Sequence, residues 1–352
     1  MDKFLIKNGM LWNGNGFSKK DVLFEGKHVT KIDDNIEADT LRKFDASGLI
    51  VMPGLIDIHM HMRNVSIDAF GTDVSAGCFP NGVTCAVDAS AVSGDKEFLD
   101  TFAVKNAVFV SPTFNNGNYN FDNFEQYNKS YGDKLLGFKL FYDGDNFDGV
   151  TPLKEVCAFA KDKGLKVMVH TNNSPVSMMD IAKTLNSGDI ITHAFHGGRN
   201  NAAEDNFECL KFAREKGIVI DTGFAGHVHT DFTVLKKAMD AKFYPDTISS
   251  DLTRASAFIR FGRYGLNYCM SIMRTLGMPE EEIFLSVTKN AAKAVGKEND
   301  WGTLEIGSTA VTVLGLSNEP YSITDKMGKT VSDNKSYRTY LTVVNGDAVY
   351  SY

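Results

Sequence analysis

Six side chains able to bind a metal ion or move a proton lie within or at the ends of apolar runs of this chain. His59 and His61 are two residues apart, so in a strand both point to the same side. Two imidazoles at that spacing can hold one metal ion. The other four follow in later apolar runs: Lys139, His170, His193 and Asp251. Such donors gathered at one place would support metal-assisted hydrolysis.

The elements that must position these side chains recur eight times. The strand candidates are Leu55–His59, Val83–Asp88, Ala107–Ser111, Leu135–Phe141, Leu165–His170, Asp189–His193, Ile218–Thr222 and Thr247–Asp251. Amphipathic segments such as Leu153–Lys163 lie between several of them. This alternation predicts an α/β fold with a parallel (β/α)8 TIM barrel, in which active sites lie at the C-terminal ends of the strands. The six side chains would then meet at one mouth.

Both ends of the chain have a different sequence pattern from the middle. Residues 1–52 contain short strands with turn signals, such as Phe4–Gly9, and the same pattern returns in Ala310–Leu314. We therefore expect residues 1–52 and 303–352 to form one small β-sandwich domain. Residues 53–302 would form the barrel.

An isolated histidine or lysine in a strand is usually satisfied by local contacts, and we interpret His28 and His196 in that way. The six side chains listed first differ because they arrive at five strand ends in chain order. That arrangement favours a metal site over a set of polar core residues.

The run Pro53–His61 resembles the opening signature of the amidohydrolase superfamily of metal-dependent hydrolases. The segments Gly226–His229 and Tyr244–Leu252 together resemble its dihydroorotase-like and deacetylase-like branch. Two later segments, Ser286–Ala294 and Gly302–Gly307, also resemble that family. The resemblance covers nearly the whole chain and extends to the order of the ligands. It implies an enzyme that hydrolyses carbon–nitrogen bonds other than peptide bonds.

The resemblance also implies a centre with two divalent metal ions, zinc first and manganese, iron or cobalt as alternatives. It assigns His59, His61 and Asp251 to the more buried ion, and His170 and His193 to the other. Lys139 would bridge both ions as a carbamate formed with carbon dioxide. The implied reaction is attack by a bridging hydroxide, with Asp251 as the catalytic group that passes the proton to the leaving nitrogen.

Three further positions are candidates for binding the substrate. Arg63 resembles the arginine with which dihydroorotases hold a carboxylate, although the following residues, Asn64–Ser66, depart from that subfamily. His227 follows the seventh strand, and Arg199 lies in a glycine-containing loop that could bind an anion. We expect a small substrate that carries a carboxylate.

Three alternatives stay open at this stage. An esterase or deacetylase of acylated hydroxy or amino acids would use the same chemistry. A mononuclear deaminase would use the same barrel, but such members usually lack the bridging lysine. An inactive relative serving as a scaffold would typically have lost ligands, and here all six are present.

Composition excludes several other classes of function. The chain has 352 residues and a net charge of −7, without a basic cluster, so we expect no nucleic acid partner and no anionic membrane partner. No apolar run approaches the roughly 18 residues of a membrane helix. The five scattered cysteines indicate reduced thiols. We therefore expect a cytoplasmic enzyme with a small-molecule substrate, and the family resemblance implies a homo-oligomer.

Overall fold

The structure of the protein, a computed structural model, describes residues 2–62, 71, 73–91, 96–115, 118–144, 149–226, 228–260 and 264–352. Its strands are β1 Lys3–Trp12, β2 Phe17–Glu25, β3 His28–Asp33, β4 Lys43–Asp45, β5 Ile50–Pro53, β6 Leu55–Met60, β7 Val83–Ala91, β8 Lys105–Val110, β9 Thr113–Asn115, β10 Asn118–Asn120, β11 Leu135–Phe141, β12 Lys166–His170, β13 Ile190–Thr192, β14 Val219–Ile220, β15 Ala310–Ser317, β16 Tyr321–Thr324, β17 Thr330–Asp333, β18 Ser336–Val344 and β19 Asp347–Ser351.

The α-helices are α1 Val74–Cys78, α2 Lys96–Asp100, α3 Phe124–Tyr131, α4 Thr151–Asp162, α5 Met178–Thr184, α6 Glu208–Glu215, α7 Phe232–Asp240, α8 Leu266–Leu276, α9 Glu280–Ser286 and α10 Lys289–Ala294. Short 3₁₀ turns occupy Phe79–Asn81, Gly132–Lys134 and Ala202–Asp205, and a π-helical turn spans Ala255–Arg260. No helix among these is long and apolar enough to cross a membrane.

Seven parallel strands form the central sheet, in the order β14-β13-β12-β11-β8-β7-β6. The segment from Thr247 to Leu252 closes it, with a parallel bridge to Asp221 on one side and to Met60 on the other. The amide of Asp251 donates to the carbonyl of His59 at 2.7 Å, so the eighth segment is held directly beside β6. The predicted (β/α)8 barrel is confirmed, although its eighth strand makes single bridges rather than a continuous ladder.

The strands of the barrel are buried because both of their faces are covered. Every residue of β6 is buried, and so is every residue of β11 except Phe141 at its end. A strand covered on both faces requires a near-continuous apolar sequence, and this explains the runs from which the barrel was predicted. Against that background, a buried histidine or lysine in these strands stands out.

The two ends of the chain meet in a separate sheet of order β19-β18-β15-β5-β1-β2-β3, with β4 beside β1. The chain passes from this sheet to the barrel at Gly54, where a Cβ atom would lie 2.0 Å from Oγ1 of Thr84. A glycine is therefore required at this junction. The domain boundaries predicted from the sequence, 1–52 with 303–352 and 53–302, stay predictions.

The hairpin β16–β17 reaches from the C-terminal part of the chain to the barrel. In its turn, a carboxylate oxygen of Asp325 accepts a hydrogen bond of 2.7 Å from the amide of Phe232, at the start of α7. Asp231 caps the same helix by accepting from the amides of Thr233 and Val234. The hairpin thus braces the segment that connects β14 to α7.

Candidate active site

A cavity of about 300 Å³ opens at the C-terminal ends of the barrel strands. Its lining includes all six side chains predicted as ligands: His59, His61, Lys139, His170, His193 and Asp251. Each of the six is at most 7% exposed. The apolar part of the lining is formed by Phe141, Ala225, Val228 and Ala255. The structure therefore brings the predicted set together in one small, partly apolar chamber.

His59, His61 and Asp251 form the first donor group, with one donor atom from each lying within 4.8 Å of the others. Oδ1 of Asp251 lies 2.9 Å from Nε2 of His61 and 3.3 Å from Nε2 of His59. The backbone bridge between Met60 and Leu252 explains this proximity, because it holds the end of β6 beside the end of the eighth segment.

The second donor group contains a residue that the sequence analysis did not select. His170, His193 and His229 offer nitrogens that all lie within 4.8 Å of one another. The ring centroids of His170 and His193 are 4.4 Å apart, and that of His229 lies 4.3 Å from His193 and 4.8 Å from His170. The structure thus adds a fifth imidazole to the four that were predicted.

Lys139 lies beside the first group, with its Nζ 3.0 Å from Nε2 of His59. The lysine is 1% exposed, and this burial lowers its pKa to about 8. A buried ammonium next to a cation would be repelled, whereas a carbamate would attract it. The structure therefore places Lys139 beside the first donor group, with a pKa that increases the fraction of neutral amine.

Burial keeps most of the imidazoles neutral. It lowers the pKa of His59 to about 4 and that of His229 to about 3, and it lowers the pKa of His193 well below the ordinary value. The pKa of His170 is lowered in the same direction, again chiefly by burial. Only a neutral imidazole has a lone pair to give to a metal ion, so these side chains are ready to ligate at neutral pH.

Asp251 stays ionised in this surrounding. Its burial raises the pKa of the carboxyl group, but the neighbouring imidazoles of His59 and His61 lower it by more, and the net pKa lies well below the ordinary value. Its backbone has a φ of 48°, and that of His193 has a φ of 58°. Left-handed backbone at two non-glycine residues is costly, and such strain concentrates at functional sites.

A chain of hydroxyl groups orients His59. Oγ1 of Thr192 donates its proton to Oδ2 of Asp221 at 2.7 Å, so it must accept from Nδ1 of His59 at 2.9 Å. The lone pair of His59 is therefore on Nε2, which faces Lys139 and Asp251. Thr247 and Ser249 donate to the same Asp221 carboxylate and hold it in place.

We expect Thr192→Val to weaken metal binding about 10- to 100-fold, because it leaves Nδ1 of His59 without its acceptor at nearly constant volume. A competition titration of the apoprotein against a chelating dye would measure this. Thr247→Val is the matched control, since Thr247 donates to Asp221 but does not touch His59. If both substitutions weakened metal binding equally, the orientation of His59 by Thr192 would be contradicted. The result would instead indicate a general effect on the hydrogen bonds around Asp221.

The carbonyl of Gly223 orients His193, because it accepts a hydrogen bond of 2.6 Å from Nδ1 and leaves Nε2 for a ligand. Gly223 has a φ of 51°, and a Cβ atom there would lie 2.5 Å from Nδ1 of His193. Only glycine allows this close approach.

Asp57 accepts hydrogen bonds from the backbone amides of His59 and Ser250. It therefore holds the backbone at these two residues in place and does not orient an imidazole ring.

The structure gives less information about the three residues predicted to bind substrate than about the predicted metal ligands. Arg63 and His227 lie outside the described residues. Arg199 is exposed, and its Nε donates to the carbonyls of Asn173 and Ser174, both at 3.2 Å. It is not part of the described lining of the 300 Å³ cavity. A role for these three residues in binding substrate stays a prediction.

The donor set fits divalent metal ions. Nε2 of His170 is buried and has no hydrogen-bond partner in the described part of the chain, and it lies 3.6 Å from Oδ2 of Asp143. A buried nitrogen without a partner is costly unless something binds it. Neutral imidazoles with one carboxylate are ligands that zinc and neighbouring transition metals accept.

A barrel with histidines, a lysine and an aspartate gathered at its C-terminal mouth is the arrangement of a metal-dependent hydrolase. Residues 50–349 match the family model described as the amidohydrolase family. The chain belongs to this family, and it is an enzyme of carbon–nitrogen bond hydrolysis. The sequence-based recognition is thereby confirmed.

Individual relatives agree with this assignment. The chain is 26% identical to a deacetylase from Enterococcus faecalis over 97% of both proteins. It is 24% identical to a deacetylase from Agrobacterium fabrum over 94% of this chain and 87% of that protein. A solved structure described as a dihydroorotase superposes with a TM-score of 0.87 at 22% identity, covering 100% of this chain and 98% of that one, which shows the shared fold.

Proposed function

We propose that this protein is a binuclear metal-dependent amidohydrolase that cleaves the amide bond of a small, carboxylate-bearing substrate, with N-acyl amino acids as the first candidates. One observation supports the proposal: the carboxylate of Asp251, which belongs to the first donor group, also faces the second donor group. Its Oδ1 faces His59 and His61, and its Oδ2 lies 3.9 Å from Nε2 of His193.

The two donor groups would hold one divalent ion each, and zinc is our first choice of metal. His59, His61 and Asp251 would hold the inner ion, and His170 and His193 the outer one. Lys139 would contribute to both after its neutral amine has attacked carbon dioxide, forming a C–N bond and releasing a proton. When bound, the ions supply Lewis acidity toward a water molecule and toward the carbonyl oxygen of the substrate.

Asp251 is the proposed acid–base catalyst. Its ionised carboxylate would accept the proton of the attacking water and donate it to the nitrogen that leaves. Its φ of 48° and the hydrogen bond from its amide to the carbonyl of His59 hold it in position for both transfers. Asp251 is only 5% exposed, and this burial strengthens its electrostatic interactions.

The size and lining of the cavity favour a small acyl group. A volume of about 300 Å³ is at the lower end for small-molecule sites. Phe141, Ala225 and Val228 give it an apolar wall suited to a methyl group. The two deacetylases match this chain over nearly its whole length, which favours an acyclic amide over a cyclic one. Arg63, which directly follows His61 and Met62, is the proposed partner of the substrate carboxylate.

A substrate panel tests the proposal. Protein loaded with zinc, manganese or cobalt in the presence of bicarbonate would be assayed with N-acetyl amino acids, dihydropyrimidines and O-acetyl hydroxy acids. We expect acetate release from N-acetyl amino acids and its loss in His61→Ala. Ring opening alone would move the assignment to cyclic amides, ester cleavage alone to an esterase, and full activity in His61→Ala would refute the site.

A further inference from the structure

We propose that His229 is a third imidazole ligand of the outer ion, beside His170 and His193. The inference rests on the proposed metal centre and goes beyond it, because the family resemblance gives the outer ion only two histidines and the modified lysine. The ligand would come from the segment after β14, at a position that the sequence analysis passed over in favour of His227.

The three rings are as close as ligands of one ion need to be. The donor atoms of His170, His193 and His229 lie within 4.8 Å of one another, which is the same limit that holds for His59, His61 and Asp251. The centroid of His229 is nearer to that of His193, at 4.3 Å, than the centroid of His170 is, at 4.4 Å. By geometry, His229 belongs to this group as much as either predicted ligand does.

The nitrogens of His229 are not engaged elsewhere among the described residues. Nδ1 is buried and has no hydrogen-bond partner. Nε2 lies 3.8 Å from Oδ2 of Asp251, which is beyond hydrogen-bond distance. The side chain is only 20% exposed, so water satisfies it poorly. Burial of an imidazole without a partner is unfavourable, and binding of an ion would remove that cost.

The backbone around His229 is anchored on both sides. Before it, the amide of Ala225 donates to the carbonyl of Ser250 at 2.9 Å. After it, the amide of Asp231 donates to the carbonyl of Phe195 at 3.0 Å, and the hairpin residue Asp325 accepts from Phe232. A ligand held in this way loses little conformational freedom when the ion binds.

The consequence is a centre with two unequal ions. Apart from the modified Lys139, the inner ion would have the carboxylate of Asp251 among its ligands, whereas the outer ion would have three neutral imidazoles. Such a site prefers zinc, cobalt, nickel or copper to manganese or magnesium. It would also retain its ion when Lys139 carries no carbamate, because three protein ligands suffice to hold zinc.

Cobalt binding tests this inference without an activity assay. Apoprotein would be titrated with Co²⁺ while the visible absorption is followed, and the bound metal would be counted by plasma mass spectrometry. We expect wild type to bind two ions, and His229→Ala to bind one of them at least about 10-fold more weakly with an altered visible spectrum. His28→Ala, which removes an exposed histidine of β3, is the matched control.

A second variant guards against misfolding. In His229→Gly, added imidazole should restore the affinity and the spectrum of the outer ion, which a merely structural histidine would not allow. Two ions bound by His229→Ala with wild-type affinity and spectrum would overturn the inference and leave the proposed function intact. Absence of bound metal in wild type would overturn the proposed function, and this inference with it.

Discussion

Asp251→Asn should lower kcat/KM about 10³-fold while the protein remains folded. The substitution keeps the shape of the side chain but removes the charge and the basicity, and general acid–base catalysis contributes about 10²- to 10⁴-fold. Because Oδ1 lies 2.9 Å from Nε2 of His61, the inner ion should also bind more weakly. Steady-state kinetics with the best substrate of the panel, together with a metal count, would measure both effects.

Asp189→Asn is the matched control for Asp251→Asn. Asp189 is equally buried but lies just before β13, at the opposite end of the barrel, where it accepts from the amides of Val167 and Asn186. Its replacement should change the free energy of unfolding and leave kcat nearly unaltered. Retention of more than about a tenth of the activity in Asp251→Asn would remove this residue from the role of general base.

The positions of the predicted ligands follow from patterns that a sequence displays directly. A strand buried on both faces is apolar throughout, so Lys139 and His59 are conspicuous within β11 and β6. Parallel strands in a barrel present their C-terminal ends at one mouth, so such residues meet whatever the loops do. For that reason His170 and Asp251, which are 81 residues apart in the chain, were expected to lie near each other, and both line the same cavity.

His229 was not predicted as a ligand because no strand pattern determines its position. It lies nine residues beyond the end of β14, in a segment without the two-residue period that placed His59 and His61. Its position depends on the cap at Asp231 and on the turn at Asp325, which is far away in the sequence. The Gly226–His229 sequence offered two histidines as a signal, but spacing alone could not choose between them.

The groups that orient His59 could not be predicted from the sequence either. Thr192 and Ser249 are ordinary residues of apolar strands, and only the barrel closure brings them to Asp221. The eighth strand shows a similar limit, because its run was recognised in the sequence, whereas its single bridges to Asp221 and Met60 are a feature of the closed barrel. Contacts between distant strands and local strain are decided by the closed fold and not by periodicity.

Lys139→Ala should abolish detectable hydrolysis, with a loss of at least about 10³-fold, because it removes the group proposed to bind both ions. Lys139 is 1% exposed and its Nζ lies 3.0 Å from His59, so no other described lysine can take its place. Each ion should bind more weakly but remain on its three protein ligands, the outer one only if His229 holds it. Kinetics and metal counts at low and high bicarbonate would measure these effects.

The control for this substitution is Lys166→Ala, on the neighbouring strand β12, where Nζ donates to the carbonyl of Gly188 away from the cavity. Wild type and Lys166→Ala should both lose activity and bind metal more weakly when carbon dioxide is withdrawn during metal loading, whereas the metal content of Lys139→Ala should not change. Added acetate should partly restore activity to Lys139→Ala alone, since a small carboxylate can occupy the vacated space and bind metal. Full activity of Lys139→Ala without any carboxylate would show that the centre works without a lysine bridge, and the protein would then be a hydrolase of a different metal architecture on the same barrel.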